Sequence, residues 1–117
     1  MKKDDNVYLC DILDAISDVE QIVKDLDEQN FYKNISAKHA VVRCIEIIGE
    51  ASKHISKEFR QKYDVIPWSD ICKMRDKAIH DYSGVDYAVI WKVVQIDIPE
   101  LKEKLESILK EIESRGR

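Results

Sequence analysis

The sequence predicts an all-α protein, an antiparallel bundle of four to five helices. Apolar residues recur at steps of three and four over long stretches, the mark of amphipathic helices. Turn-formers are scarce, with Gly 3 and Pro 2 in 117 residues, too few for the many tight turns of a sandwich or barrel. Charged residues reach 36% with mixed signs, 19 Lys+Arg against 23 Asp+Glu, and 44% of residues are hydrophobic, which excludes both a disordered acidic tail and a histone-like polycation. A chain of this length fits one domain over residues 1–117.

The first helix carries Leu9, Ile12, Leu13, Ile16, Val19, Val23 and Leu26 on one stripe, and residues 30–35 read as a connection. The second starts behind Ser36 as N-cap and runs to about Ser56. Its apolar set, including Val41, Val42, Cys44, Ile45, Ile47 and Ile48, covers more than one face. Such a helix faces a core on one side and on the other either a second copy of the chain or another part of its own subunit. A short turn or helix follows over residues 57–63. Ser69 and Asp70 then cap a third helix over residues 71 to about 82, which the Ser83-Gly84-Val85-Asp86 segment breaks. Gly84 suits a positive-φ exit there and Asp86 the next N-cap. The fourth helix runs from near Tyr87 to about Ser114, with a kink expected around Asp97 and Ile98 because Pro99 interrupts it.

Several classes of function are excluded. A net charge of −4 cannot hold nucleic acid by bulk counterion release, so any such contact needs a local basic cluster. Cys10, Cys44 and Cys72 form no C-x-x-C, which argues against a zinc site or disulfide framework and for small core residues. H-E-x-x-H, phosphate-loop, dinucleotide and G-x-S-x-G patterns are absent. Trp68 and Trp91 read as core anchors. Neither a signal-like apolar run nor ~18 consecutive apolar residues occurs, so the chain reads as cytoplasmic, without a membrane partner.

The third helix stands apart. As a regular helix it would place Ile71, Met74, Ala78, Ile79 and Tyr82 in one apolar sector with Arg75 in its middle. A guanidinium there needs an anion. Two remain open: Glu46 or Glu50 of the second helix in a structural ion pair, or a phosphate held bidentately in a cleft. The opposite sector holds Lys73, Asp76, Lys77, His80 and Asp81, with Asp76 four residues before His80 and able to fix its tautomer. His80 then reads either as a solvent-facing partner of Asp76 or as a general acid or base, and Lys73 and Lys77 as a small positive patch.

Arg75-Asp76-Lys77-Ala78-Ile79-His80-Asp81-Tyr82 spells R-x4-H-x-Y. With Ile47-Ile48-Gly49-Glu50-Ala51, Ile66-Pro67-Trp68, Gly84-Val85-Asp86 and Asp97-Ile98-Pro99-Glu100-Leu101 in order, the chain resembles the HEPN superfamily, in particular the HepT-like ribonuclease toxins paired with MNT-type nucleotidyltransferase antitoxins. Ser83 departs from the aromatic residue that often follows the Tyr. The resemblance implies a HEPN-like helical fold, a homodimer whose two motifs share one cleft, and metal-independent RNA cleavage without a cofactor. Carried over, Arg75 and His80 are the catalytic pair and Asp76 supports them. Tyr82 is the residue that the antitoxin AMPylates, with ATP only as the donor. Lys73 and Lys77 would contact RNA. A non-catalytic module that docks a nucleotidyltransferase or nucleotide is the competing expectation. On a regular helix Arg75 and His80 point about 140° apart. Either a cleft between subunits or a loosened helix before Gly84 would resolve that difficulty.

Overall fold

The computed structural model describes residues 4–80 and 84–115. α1 (Asp5–Val23) opens on Asp4, whose carboxylate accepts from the Val7 N–H at 3.1 Å. Its stripe of Leu9, Ile12, Ala15, Ile16 and Val19 is buried. The expected connection at 30–35 is largely helical. α1 stops at Val23, Asp27 caps a short α2 (Glu28–Lys33), and Phe31 fills the core from it. α3 (Ile35–His54) is capped by Asn34, two residues before the expected Ser36, with its side chain accepting from the Ala37 N–H at 2.9 Å. α4 (Lys57–Lys62) is capped by Ser56, whose hydroxyl and N–H also donate to Asp5, tying the start of α1 to the end of α3.

α5 (Trp68–Ala78) begins behind Pro67 and lacks a side-chain cap. Ser69 and Asp70, expected as caps, lie inside its first turn, where the Asp70 carboxylate faces the positive end of the helix dipole. The Trp68 indole N–H donates to the Tyr63 carbonyl at 3.1 Å and its ring is buried, while Trp91, partly buried, packs tilted against Phe31 with ring centres 5.1 Å apart. Both are the core anchors expected of them. The helix then ends early. Ile79–His80 is a two-residue strand, β1, paired antiparallel with β2 (Gly84–Val85), Ile79 opposite Val85 and His80 opposite Gly84. Gly84 holds φ at 88°, the positive-φ exit its position predicts. A 2.7 Å bond from the Asp86 N–H to the Ala78 carbonyl closes the hairpin at its base.

Asp86 caps α6 (Tyr87–Lys92) by accepting from Ala88 and Val89. The interruption expected at Pro99 is a π-helical turn, Val93–Asp97, in which the Ile98 N–H reaches the Val93 carbonyl. Proline in the first turn of α7 (Ile98–Arg115) has no N–H to give the preceding carbonyls, and the wider turn absorbs the mismatch without ending the run.

α3 is central, packed on α1 along one side and α5 along another. That position covers much of its wide apolar face within one subunit, while Val42 and Ile47 stay partly exposed. Val41, Ile45 and Ile48 lose all solvent exposure there. α5 passes close to Gly49, where an added methyl group would make ordinary contact with the Ile71 and Cys72 carbonyls at 3.9 Å. Of the cysteines, only Cys44 is buried. Cys72 is half-buried and Cys10 exposed, because Cys10 lies just off the α1 stripe. The architecture is an all-α, HEPN-like bundle, with one two-residue strand pair among the described residues. Among those residues no helix is long and apolar enough to cross a membrane.

Candidate functional site

Ile71, Met74 and Ala78 turn α5 toward the core. Arg75, about 100° on from Met74, comes out at the edge where α5 meets α3. There it lines a groove of about 400 Å³. Arg43, Glu46, Glu50 and Lys53 of α3 form one wall, Cys72, Arg75 and Asp76 of α5 the other, and Gly49 leaves the floor open beside the Arg75 Cβ, 4.0 Å from where its own Cβ would stand. The Arg75 side chain is 35% exposed, and the Asp76 carboxylate lies 3.4 Å from its Nη1. Among the described residues Glu46 and Glu50 make no ion pair with Arg75; Glu50 instead meets His54 at 3.3 Å. The guanidinium is therefore at the wall of an open groove and not sealed in the interior.

His80 is not on the helix. In an extended segment side chains alternate, so Ile79 turns inward, half-buried, and His80 turns out to solvent. The expected Asp76–His80 pairing requires one more helical turn and does not form; Asp76 is turned to Arg75. The same early ending removes the 140° separation that a continuous helix would impose on Arg75 and His80. Asp81 and Tyr82 lie outside the described residues. The chain on either side of them is held by the His80–Gly84 pairing.

Lys73 and Lys77 are both exposed but stand apart from this groove, since two residues along a helix is about 160° of rotation from Arg75. Lys77 lines a different groove, of about 290 Å³, with Asp70, Asp97, Glu100 and Lys104. The cations that do accompany Arg75 are Arg43 and Lys53, which the sequence reading missed. Their signal was present: Arg43, Glu46, Glu50 and Lys53 follow steps of three, four and three, a polar stripe on an otherwise apolar helix. Among the described residues no three His, Cys, Asp or Glu side chains are grouped to hold a metal ion.

The family model described as "Ribonuclease HepT-like" matches residues 12–108. A protein of Methanocaldococcus jannaschii named "Putative RNase MJ0125" is 44% identical over 114 residues, 97% of this chain and 98% of the other. "Probable ribonuclease HepT" of Thermococcus cleftensis is 44% identical over 110 residues, covering 94% of this chain and all of its own. A longer M. jannaschii protein, "Gamma-glutamylcyclotransferase and putative RNase MJ0434", is 45% identical over 113 residues, 97% of this chain but 51% of that one. No solved structure gives a significant match. A matched span running from the first buried turns of α1 to the last of α7, with relatives aligned almost end to end, leaves one assignment: the chain belongs to the HepT-like ribonuclease family.

Proposed function

We propose that this protein is a metal-independent endoribonuclease, the toxin of a toxin–antitoxin pair, acting as a homodimer through Arg75 and His80. The observation that carries the reading is the partly exposed Arg75 guanidinium in an open groove, five residues before a histidine that the end of α5 turns out to solvent. Cleaving RNA without a metal requires a base to take the 2′-hydroxyl proton, an acid to protonate the departing 5′-oxygen, and positive charge on the crowded phosphorus. Arg75 supplies the charge in a fork suited to phosphate oxygens. One histidine per chain cannot fill both proton-transfer roles at once, and a two-fold axis provides the second. Asp76 lies beside Arg75, 3.4 Å from its Nη1, and supports the guanidinium.

In the same reading Tyr82 is the control point. Its phenolic oxygen attacks the α-phosphate of ATP on an MNT-type nucleotidyltransferase, pyrophosphate leaves, and the tyrosine carries AMP. The added phosphate and nucleoside then stand near His80, excluding RNA by bulk and by like charge. Family membership and the motif order support this. The test is cleavage of single-stranded RNA in excess chelator. The wild-type protein should cut, and Arg75→Ala and His80→Ala should lose at least about a thousandfold in rate with unchanged helicity. Full activity in both variants overturns the reading. Co-expression with the nucleotidyltransferase should place one AMP on the peptide containing Tyr82.

A further inference from the structure

On the side of α3 away from α5 lies a second pocket, of about 300 Å³, between α1 and α3, within the size range of small-ligand sites. Its wall is an aromatic pair, Tyr8 and His54, stacked with ring centres 5.3 Å apart and planes within 17°. Ile47 contributes apolar surface, and Asp11, Glu50 and Arg43 contribute charge. Arg43 and Glu50 also line the Arg75 groove, so the two pockets are neighbours across the exposed face of α3. None of Arg75, Asp76 and His80 is among the residues that line it.

We infer that this pocket is a nucleobase subsite for the RNA strand whose phosphate lies at Arg75, and that it favours a guanine. The inference rests on the ribonuclease reading for its substrate. Protein sites for single-stranded RNA combine a flat aromatic surface for stacking with polar groups for the base edge, and Tyr8 and His54 supply the first. The edge groups are carboxylates. Guanine presents two adjacent donors, N1–H and the exocyclic amino group, to which a carboxylate can bond side-on, whereas uracil presents one N–H between two carbonyls that a carboxylate repels. Glu50 gives one oxygen to His54 at 3.3 Å, and a carboxylate has about four acceptor positions in all, so capacity for a base remains. Arg43, shared by both pockets, is the cation placed to meet the phosphate that joins the bound base to the strand at Arg75.

The test uses the full-length protein and 2′-O-methyl RNA hexamers, which bind but cannot be cut, with affinity read by fluorescence anisotropy. A hexamer with one guanosine among uridines should bind about tenfold more tightly than the all-uridine hexamer. In His54→Ala and in Glu50→Gln, both at exposed side chains, that ratio should fall to within about twofold. Equal affinity for the two hexamers in the wild type overturns the subsite. A preference that survives in both variants also overturns it, as does a change of oligomeric state in the variants with the preference intact. Cleavage of unmodified RNA, assayed alongside, separates the two readings. Discrimination without cleavage leaves the subsite and removes the nuclease; cleavage without discrimination does the reverse.

Discussion

α3 has unlike neighbours on its two sides. Toward α1 the buried part of the contact is apolar: Leu9, Ile12 and Ile16 of α1 and Val41, Ile45 and Ile48 of α3 are all without solvent exposure, and polar groups stand at its rim, where Ser56 bonds Asp5. Toward α5 the helices meet at Gly49, and the contact opens into a groove rimmed by charged side chains. α1 and α3 have side-chain caps at their starts, whereas α5 has none and gives way after eleven residues to a two-residue strand. The difference separates two tasks. Apolar burial that stabilises the fold is concentrated on the α1 side, and the motif residues stand where the packing is shallow and the backbone changes conformation. Stability and chemistry should therefore respond to different substitutions.

The sharpest break of that comparison sets Arg75→Ala against Ile45→Ala. The first should cost at least about a thousandfold in RNA cleavage while leaving the urea midpoint nearly unmoved, since the removed side chain is partly solvated and sits at a groove wall. The second removes a fully buried branched side chain of α3 and should cost about 2–5 kcal/mol of stability, read from the shift in midpoint at constant slope. The fraction that stays folded should keep its cleavage rate. If Arg75→Ala unfolds the protein, Arg75 is a structural residue and the separation of tasks fails.

The hairpin after α5 tests the same idea at a smaller scale. Gly84 holds φ at 88° with open space around its Cα, so a methyl group there meets no neighbour and the cost is conformational alone. Gly84→Ala should lose about 1–2 kcal/mol, the usual penalty for a non-glycine residue in the left-handed region. It should also lower cleavage, because the pairing of His80 with Gly84 is what fixes the exit of the motif from α5. A loss of stability with no change in cleavage would show that the hairpin does not position His80.

Much of this was legible in the sequence, and the parts that were not share a cause. The long helices, the Asp86 cap, the Gly84 exit and the disturbance near Pro99 all follow from local rules: apolar period, capping chemistry, and residues with restricted backbones. The end of α5 was misjudged because Ile79 and Tyr82 fit a helical apolar stripe, while an extended Ile79 buries just as well by alternation, and only tertiary pairing with Val85 decides between them. Arg43 and Lys53 escaped notice for a related reason. Their stripe was readable on α3, but its place beside Arg75 depends on how α3 and α5 meet at Gly49, a relation between segments more than twenty residues apart in the chain. Lys73 and Lys77, by contrast, follow helical rotation alone and stand on the sector opposite Arg75, as their spacing predicts.

The smallest effect examines the tight side directly, through its cysteine. Burial pushes the Cys44 thiol above its ordinary value of 9.0, Asp18 adds to the rise, and Arg43 opposes it. The sign follows from proton counts. Between the ordinary value and the raised one, the unfolded chain has lost the thiol proton and the folded chain keeps it, so the unfolded state binds fewer protons and stability falls as pH rises through that window; below it the thiol contributes no slope. The wild type should therefore lose midpoint on going above pH 9.0 a little faster than Cys44→Ala does, with the other alkaline groups common to both proteins. Alkylation gives the companion measurement, because only the thiolate reacts and only when reached. Cys10, exposed, should label first, Cys72 at the groove wall next, and Cys44 last, at a rate set by opening of α1 from α3. Were Cys44 to label as fast as Cys10, the α1 side would be no tighter than the α5 side, and the contrast between the two faces of α3 would lose its physical basis.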